Sequence, residues 1–505
     1  MVDLASVSDK FQNLKKGFVL NHPNSTMVPP IDLSALGDKR FCEEYGVKYP
    51  YMAGAMAQGI ASPRLVRAMA DAGLLASYGA AGLSLERIEA ELQSLCRELK
   101  GRPFAVNLIH TPSEQDWEMG LVRLLHELKI SIVEASAFMK LTEAVVFYKV
   151  AGMNRLSDGT IYSPNRIIAK VSRREVAEKF MSPAPEKILV SLVSKGLISQ
   201  EEAALARQVP LACDVTAEAD SGGHTDNRPA LTLIPTLISL SAKIRSKFGF
   251  KDSCRVGAAG GLGTPESLAA VFAMGAAYVV TGTINQACVE SGTSDLARQM
   301  LADAKQADIA MAPAADMFEM GIKVQVLKRG TLFAMRGQKL YEIYRSCGGI
   351  QDLTPEQRGL LEKQYFGRSI EAEWASTEAF FQKRDPGQVE RANRDPKHKL
   401  ALLFRSYLGQ ASLWAKQGLK NRAVDFQIWC GPAMGAFNSW VEGSFLASPE
   451  ERRVVVVALN LLYGAALVQR AQTIRAQGGA HLSPSPFKPL PKDDILNAID
   501  SGVSL

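Results

Sequence analysis

Gly257-Ala258-Ala259-Gly260-Gly261-Leu262-Gly263-Thr264-Pro265-Glu266 is the stretch whose reading decides the fold. It continues a β-prone run and carries the glycine crowding of a phosphate loop. Two architectures use such a loop. An open doubly wound sheet places Gly-x-Gly-x-x-Gly after an early strand, with an acid about 20 residues later. Here the glycines follow the seventh β-prone run, Glu266 stands where the third motif glycine belongs, and the position 20 residues past Gly261 is Thr281. A (β/α)8 barrel instead builds its recurrent phosphate site from the loops after strands seven and eight. Thr281-Gly282-Thr283 closes the eighth run, so a second glycine corner falls where the barrel needs it. The barrel is the preferred fold.

The surrounding sequence keeps the same rhythm. The β-prone runs are VKYPYMAG, LLASYG, FAVNLI, SIVEAS, RIIAKV, LACDVTAE, CRVGAAGG and AYVVTG. Amphipathic stretches such as SPRLVRAMADAG, LERIEAELQSLCREL and EQDWEMGLVRLLHEL separate them, with apolar residues at 3–4 spacing. Strands alternating with helices imply parallel βαβ units. The expectation is an α/β protein, a (β/α)8 TIM barrel over 46–305, preceded by an arm or cap over 1–45. From 306 to 505 the strand rhythm is lost, and long helical patterns predict an additional, mainly α-helical C-terminal region. The segment HLSPSPFKPLPK within it is proline-rich and reads as extended.

Composition bounds the function. The chain has 505 residues, 47% apolar and 22% charged, which fits a globular protein of two or three domains. The apolar run Val454 to Val468 contains Asn460 and Gly464 and is short of the roughly 20 residues of a membrane span, so it reads as a buried helix. No apolar secretory segment is visible near the N-terminus. The seven cysteines include no Cys-x-x-Cys pair, which argues against a zinc knuckle or disulfide framework and for a cytoplasmic setting. A net charge of +6, dispersed and without a basic block, argues against nucleic acid.

The strand ends supply the candidate chemistry. Gly260, Gly261 and Gly263 lead into Thr264-Pro265-Glu266, an N-cap, a first-turn proline and a first-turn acid. Glycines let backbone N–H groups approach an anion, and the helix start adds its positive end. The plain alternative is two tight connections. Gly54, Ala55, Met56 and Ala57 end the first run with small residues that would let backbone lie against a flat ring. Asn107 ends the third run and Lys170 the fifth, each either a turn or strand-end residue or a partner for a ring's polar edge. The sixth run ends in Asp214-Val215-Thr216-Ala217-Glu218-Ala219-Asp220-Ser221-Gly222-Gly223-His224. His224 is read as a general acid/base or a hydrogen-bond donor to a carbonyl. Asp214, Glu218 and Asp220 lack a second ligand cluster, so no metal is expected and they are read as turn caps or partners of Arg228. Cys213 and Cys288 lie near the expected mouth and are read as small core residues.

The longer strings resemble a known family. VKYPYMAGAMAQGIAS, FAVNLIHTPSE, VEASAFMKLT, IIAKVSRREVAEKFMSPAPEKIL, DVTAEADSGGHTDNRP, VVTGTINQACVESGTS, MAPAADMFEMGIKVQVLKRGTLF and FQIWCGPAMGAFNSW resemble the PfaD family. Its members are the trans-acting enoyl reductases of polyunsaturated fatty acid and trans-acyltransferase polyketide synthases, within the nitronate monooxygenase-like FMN barrel superfamily. The resemblance runs from about 40 to 480. It implies flavin contacts at Gly54, Ala55, Met56, Ala57, Asn107, Lys170 and Gly222 with its neighbour Gly223. Phosphate contacts are implied at Gly260, Gly261, Gly282 and Thr283, and an active-site histidine at His224. Ala55 stands where monooxygenases carry proline.

The resemblance further implies FMN as cofactor, NADPH or NADH as reductant, and an enoyl thioester on an acyl carrier protein as substrate. Other synthase subunits are implied partners, and a homodimer through the helical region is a further expectation. Carrier proteins are acidic, so Lys323, Lys328 and Arg329 read either as a docking face or as an ordinary solvated one. Two other readings stand beside the reductase. One is a nitronate monooxygenase-type flavin oxidase; the other is a non-catalytic synthase scaffold.

Overall fold

The computed structural model describes residues 10–21, 25–111, 115–477 and 487–499. Eight parallel strands close into a barrel in chain order. They are β1 (Tyr51–Ala53), β2 (Leu75–Tyr78), β3 (Ala105–Ile109), β4 (Ile132–Ser136), β5 (Arg166–Val171), β6 (Asp214–Glu218), β7 (Arg255–Ala259) and β8 (Val279–Thr281). All eight lie in the runs expected from sequence. Short apolar segments ending in small residues do not extend into helices, and the amphipathic stretches between them cover the outside.

The chain divides into two compact units: Met1–Asp220, Asp226–Gly292 and Ala436–Leu505 form the first, Ser221–Thr225 and Thr293–Gly435 the second. The division expected at 305/306 therefore runs differently. Residues 436–505 and the N-terminal arm join the barrel. The helix Val454–Ala476 explains why, since it is apolar on all sides and needs burial on all sides. Its Gly464 lies so close to Pro265 that a Cβ would come within 2.6 Å of the ring. Arg470, fully buried, donates to the carbonyls of Phe11 at 2.9 Å and Asn13 at 2.8 Å, which ties down the arm. Among the described residues this one helix is long and apolar enough to cross a membrane, and it is buried within the first unit. The proline-rich stretch falls partly outside the described residues; its Phe487 carbonyl accepts from Trp440 Nε1 at 2.7 Å.

The N-terminal end of the barrel is plugged by the helix Lys39–Tyr45, whose Phe41 stacks on Tyr278 at 4.3 Å. Below it, Arg255 binds Asp214 at 2.6 and 2.9 Å and Glu44 at 2.8 Å, and Tyr45 donates to Asp214 at 2.6 Å. Asp214 is fully buried. Its partner is thus Arg255, not Arg228.

The second unit is helical, as expected for much of 306–505, and also contains a sheet that periodicity missed. Strands β9 (Ile309–Pro313) and β10 (Lys323–Leu327) form an antiparallel hairpin. The two-residue strand Gly223–His224 pairs antiparallel with the other edge of β10. Phe318, Val324, Val326, Phe333, Leu340 and Leu400 are among its core residues. Lys323 opens β10; Lys328 and Arg329 follow it, and Arg329 pairs with Asp308 at 3.3 Å.

Candidate functional site

The barrel's C-terminal rim gathers most of the expected site residues. The register that pairs Ala258 with Val279 and Ala259 with Val280 sets Gly261 beside Gly282 when continued by two residues. Gly260 has φ +87° and Gly261 φ +72°, conformations that favour glycine. A Cβ on Gly260 would strike the Ala219 carbonyl carbon at 2.6 Å, whereas Gly261 and Gly282 face open space. The helix Pro265–Ala273 begins as expected, with Thr264 as N-cap in a capping box with Ser267. That box occupies the amides of Gly263 and Thr264, both directed at Ser267 Oγ at 3.2 and 3.1 Å. Among the described residues no acceptor takes the amides of Gly261, Leu262 or Gly282. Two adjacent loops with uncommitted donors and no side-chain bulk fit a phosphate group. Thr283 opens the short helix Thr283–Gln286 and is buried.

The first loop is seated from beneath. The Met56 carbonyl oxygen would lie only 1.8 Å from a Cβ on Gly79, so only glycine admits the loop there. Gly54 donates to the Thr281 carbonyl at 2.9 Å, and Ala55 donates to Glu134 Oε2 at 2.7 Å. Asn107 is buried and spends both amide hydrogens on β4, at Glu134 O (3.1 Å) and Ser136 Oγ (2.9 Å). Its Oδ1 is left as an acceptor for a ring N–H. Lys170 Nζ sits 3.2 Å from Glu218 Oε1 and 3.9 Å from Glu134 Oε1. Burial opposes its charge, but Glu218 and Glu134 outweigh that and hold its ammonium above the usual lysine range. Glu218 is thus a partner of Lys170 rather than a turn cap.

Beyond β6 the chain crosses into the second unit for five residues, Ser221 to Thr225, and returns. The return is fixed within the first unit. Asp220 N–H donates to the Arg228 carbonyl at 3.0 Å, Asn227 Nδ2 donates to Asp220 Oδ1 at 2.8 Å, and Arg173 clamps Asp226 at 2.8 and 2.9 Å. So Asp220 meets Arg228 through backbone, not through an ion pair. Within the second unit, Gly222 packs against the Cys430–Gly431 backbone, where a Cβ would approach to 3.0 Å. Gly223 has φ +82°. His224 Nε2 lies 3.1 Å from Asp316 Oδ1, with the two side chains 34% and 54% exposed. Burial pushes Asp316 up, yet the hydrogen bond and charge of His224 prevail and leave its carboxyl below the ordinary range.

Sequence reading missed Glu134 and Asp316, whose partners lie 79 and 92 residues away in the chain. It also misplaced Cys213, which precedes β6 and so lies at the barrel's N-terminal end, with its Sγ 3.4 Å from Lys149 Nζ. Cys288 is buried, with its Sγ on the Ile284 carbonyl at 3.5 Å. No group of three or more candidate metal ligands occurs among the described residues. A cavity of about 420 Å³ lies by the N-terminal ends of β7 and β8, away from this rim.

Residues 39–340 match the nitronate monooxygenase family. The enoyl reductase domain of MlnA, from the macrolactin biosynthesis cluster of Bacillus amyloliquefaciens, superposes with a TM-score of 0.83 at 36% identity, covering 87% of this chain and all of that one. One polyunsaturated fatty acid synthase subunit of Thraustochytrium sp. is 46% identical over 469 residues, 92% of this chain and 31% of that protein. The polyketide biosynthesis protein PksE of Bacillus subtilis is 43% identical over 433 residues, 86% of this chain and 56% of that protein. The chain belongs to the PfaD-like enoyl reductases of the nitronate monooxygenase-like superfamily. This family member spans about a third of the first of those two curated relatives and a little over half of the second. Its residues 347–426, within the second unit, match the inserted helical domain of [acyl-carrier-protein] S-malonyltransferase.

Proposed function

We propose that the chain is an FMN-dependent enoyl reductase that uses NAD(P)H to saturate the 2,3 double bond of enoyl thioesters on an acyl carrier protein. Its setting is polyunsaturated fatty acid or polyketide synthesis. The observation that carries the reading is the paired, glycine-lined β7 and β8 loops with uncommitted amides, on a chain 36% identical to an enoyl reductase domain. When bound, FMN supplies two-electron chemistry between the nicotinamide and the β-carbon of the enoyl group.

The chain's own residues do the rest. The amides of Gly261, Leu262 and Gly282 bind the phosphate, with Gly260 and Thr283 shaping the two loops. Gly54, Ala55, Met56 and Ala57 lie against the ring, and Asn107 Oδ1 accepts from its edge. Lys170 presents an ammonium whose charge is balanced by Glu218 and Glu134. His224 donates a hydrogen bond or proton to the thioester as negative charge develops, a contribution worth on the order of 10²–10³ in rate. The match of 347–426 to a domain of an enzyme that acts on acyl carrier protein supports a carrier protein as partner.

The test is optical. Purified yellow protein bleaches anaerobically with NADPH and regains colour on adding a crotonyl thioester of a carrier protein. Recovery with oxygen alone, and none with the thioester, would favour a nitronate monooxygenase-type oxidase. The His224→Ala protein keeps its colour and reoxidises with thioester on the order of 10²–10³ more slowly; an unchanged rate removes His224 from the reaction.

A further inference from the structure

Glu134 is a carboxylate on the barrel's inner wall with no place in the sequence reading. It stands in the middle of β4 and is 1% exposed. Burying an ionised carboxylate is costly unless partners compensate it. Its partners belong to the site. Oε2 accepts the Ala55 amide of the first loop at 2.7 Å, and Oε1 lies 3.9 Å from Lys170 Nζ. A Cβ on Gly54 would come 3.5 Å from Oε1, so nothing bulky separates the carboxylate from the loop backbone.

The charge balance follows. β4, β5 and β6 contribute Glu134, Lys170 and Glu218, two carboxylates around one ammonium. Lys170 therefore shares its ammonium between two carboxylates, and Glu134 sets an acidic group beside the first loop. Reduction adds negative charge to a bound flavin ring, and a fixed negative neighbour in a poorly solvated site opposes that addition.

We propose that Glu134 is a positioning residue for the flavin, anchoring the first loop through the Ala55 amide while its charge keeps the bound flavin strongly reducing. The inference rests on the FMN part of the function proposed above. It gives the carboxylate two separable jobs, one of hydrogen bonding and one of charge.

Two variants of the full chain separate them. Glu134→Gln keeps an acceptor for the Ala55 amide and removes the charge; Glu134→Ala removes both. Flavin per chain is read from absorbance, and the midpoint potential from anaerobic equilibration with a reference dye. The Glu134→Gln protein retains flavin and its reduction equilibrium shifts about tenfold toward the reduced form, about 30 mV for a two-electron couple. The Glu134→Ala protein also loses flavin, binding added FMN at least tenfold more weakly than the Glu134→Gln protein. Wild-type potential in Glu134→Gln overturns the charge role, and equal FMN affinity in the two variants overturns the anchor. If Glu134→Gln purifies without flavin, FMN is titrated back and the same two readings decide. A wild-type chain that binds no FMN fails the parent reading as well, whereas FMN-binding wild type with unaltered variants fails this inference alone.

Discussion

The two ends of the barrel carry the same charge pattern in different settings. At the N-terminal end Arg255 lies between Asp214 and Glu44; at the C-terminal end Lys170 lies between Glu134 and Glu218. The lower cluster is closed around Asp214, while Glu44 stands half exposed at its edge. Arg255 meets Asp214 through two hydrogen bonds, Tyr45 takes a further one, and Asp214 is fully buried. A planar guanidinium suits that bidentate lock. The upper cluster is open. Lys170 and Glu218 are 17% and 16% exposed, the longer ion pair is 3.9 Å, and Glu134 gives its other oxygen to the loop that would carry a ring. An ammonium is a point charge with donors to spare. The difference teaches that one end of the barrel locks buried charge into the fold while the other leaves its charges partly open at the rim, the face on which such barrels carry their sites.

Breaking the lower lock has the largest expected effect on stability. Arg255→Ala leaves Asp214 buried beside no cation and costs about 3–5 kcal/mol, read from the denaturant midpoint. A loss below about 1 kcal/mol would erase the contrast between the two ends. Lys170→Met costs less, about 1–3 kcal/mol, because Lys170 and Glu218 are partly exposed and Glu134 keeps the Ala55 amide as a donor, but it weakens flavin retention. The comparison sharpens if the order of the two variants reverses between a melting curve and a flavin assay.

Gly261→Glu puts a like charge into the open space of the β7–β8 rim and a side chain at φ +72°. It abolishes flavin retention while stability changes by only about 1–2 kcal/mol; stoichiometric flavin in that variant would remove these loops from the site. The smallest effect belongs to the foot of the Ser221–Thr225 crossing. Arg173 draws the Asp226 carboxyl down to about 2, against burial and with help from Ser172. A lowered acid stabilises the fold above its unfolded value near 4 and loses that contribution as pH falls toward 2. Asp226→Asn therefore flattens the stability change between pH 4 and pH 2 by about 1 kcal/mol or less, measured by denaturation at each pH.

Much of the barrel was legible because its strands are short apolar runs ended by small residues, and its helices keep a 3–4 period between them. His224 and both glycine corners stood out in the sequence for the same local reason. The hairpin of β9 and β10 was not. Each strand has five residues, and Lys323–Leu327 is buried from its second residue onward, so no alternation marks it. The helix Val454–Ala476 announced its burial but not its company. An all-apolar surface specifies no direction, and the helix settles in the unit with the barrel rather than with the helical unit.

The sequence by itself determined the barrel, its eight strand ends and the backbone cradle after β7 and β8, since strand length, helical period and glycine conformational freedom are properties of neighbouring residues. Only the tertiary structure decided that Ala55 hangs from Glu134, that Lys170 is balanced by two carboxylates, and that His224 faces Asp316. Those pairs join residues 36 to 92 positions apart or on separate strands. Local pattern carries no record of them, because barrel closure and sheet pairing, not chain proximity, bring buried charges within reach.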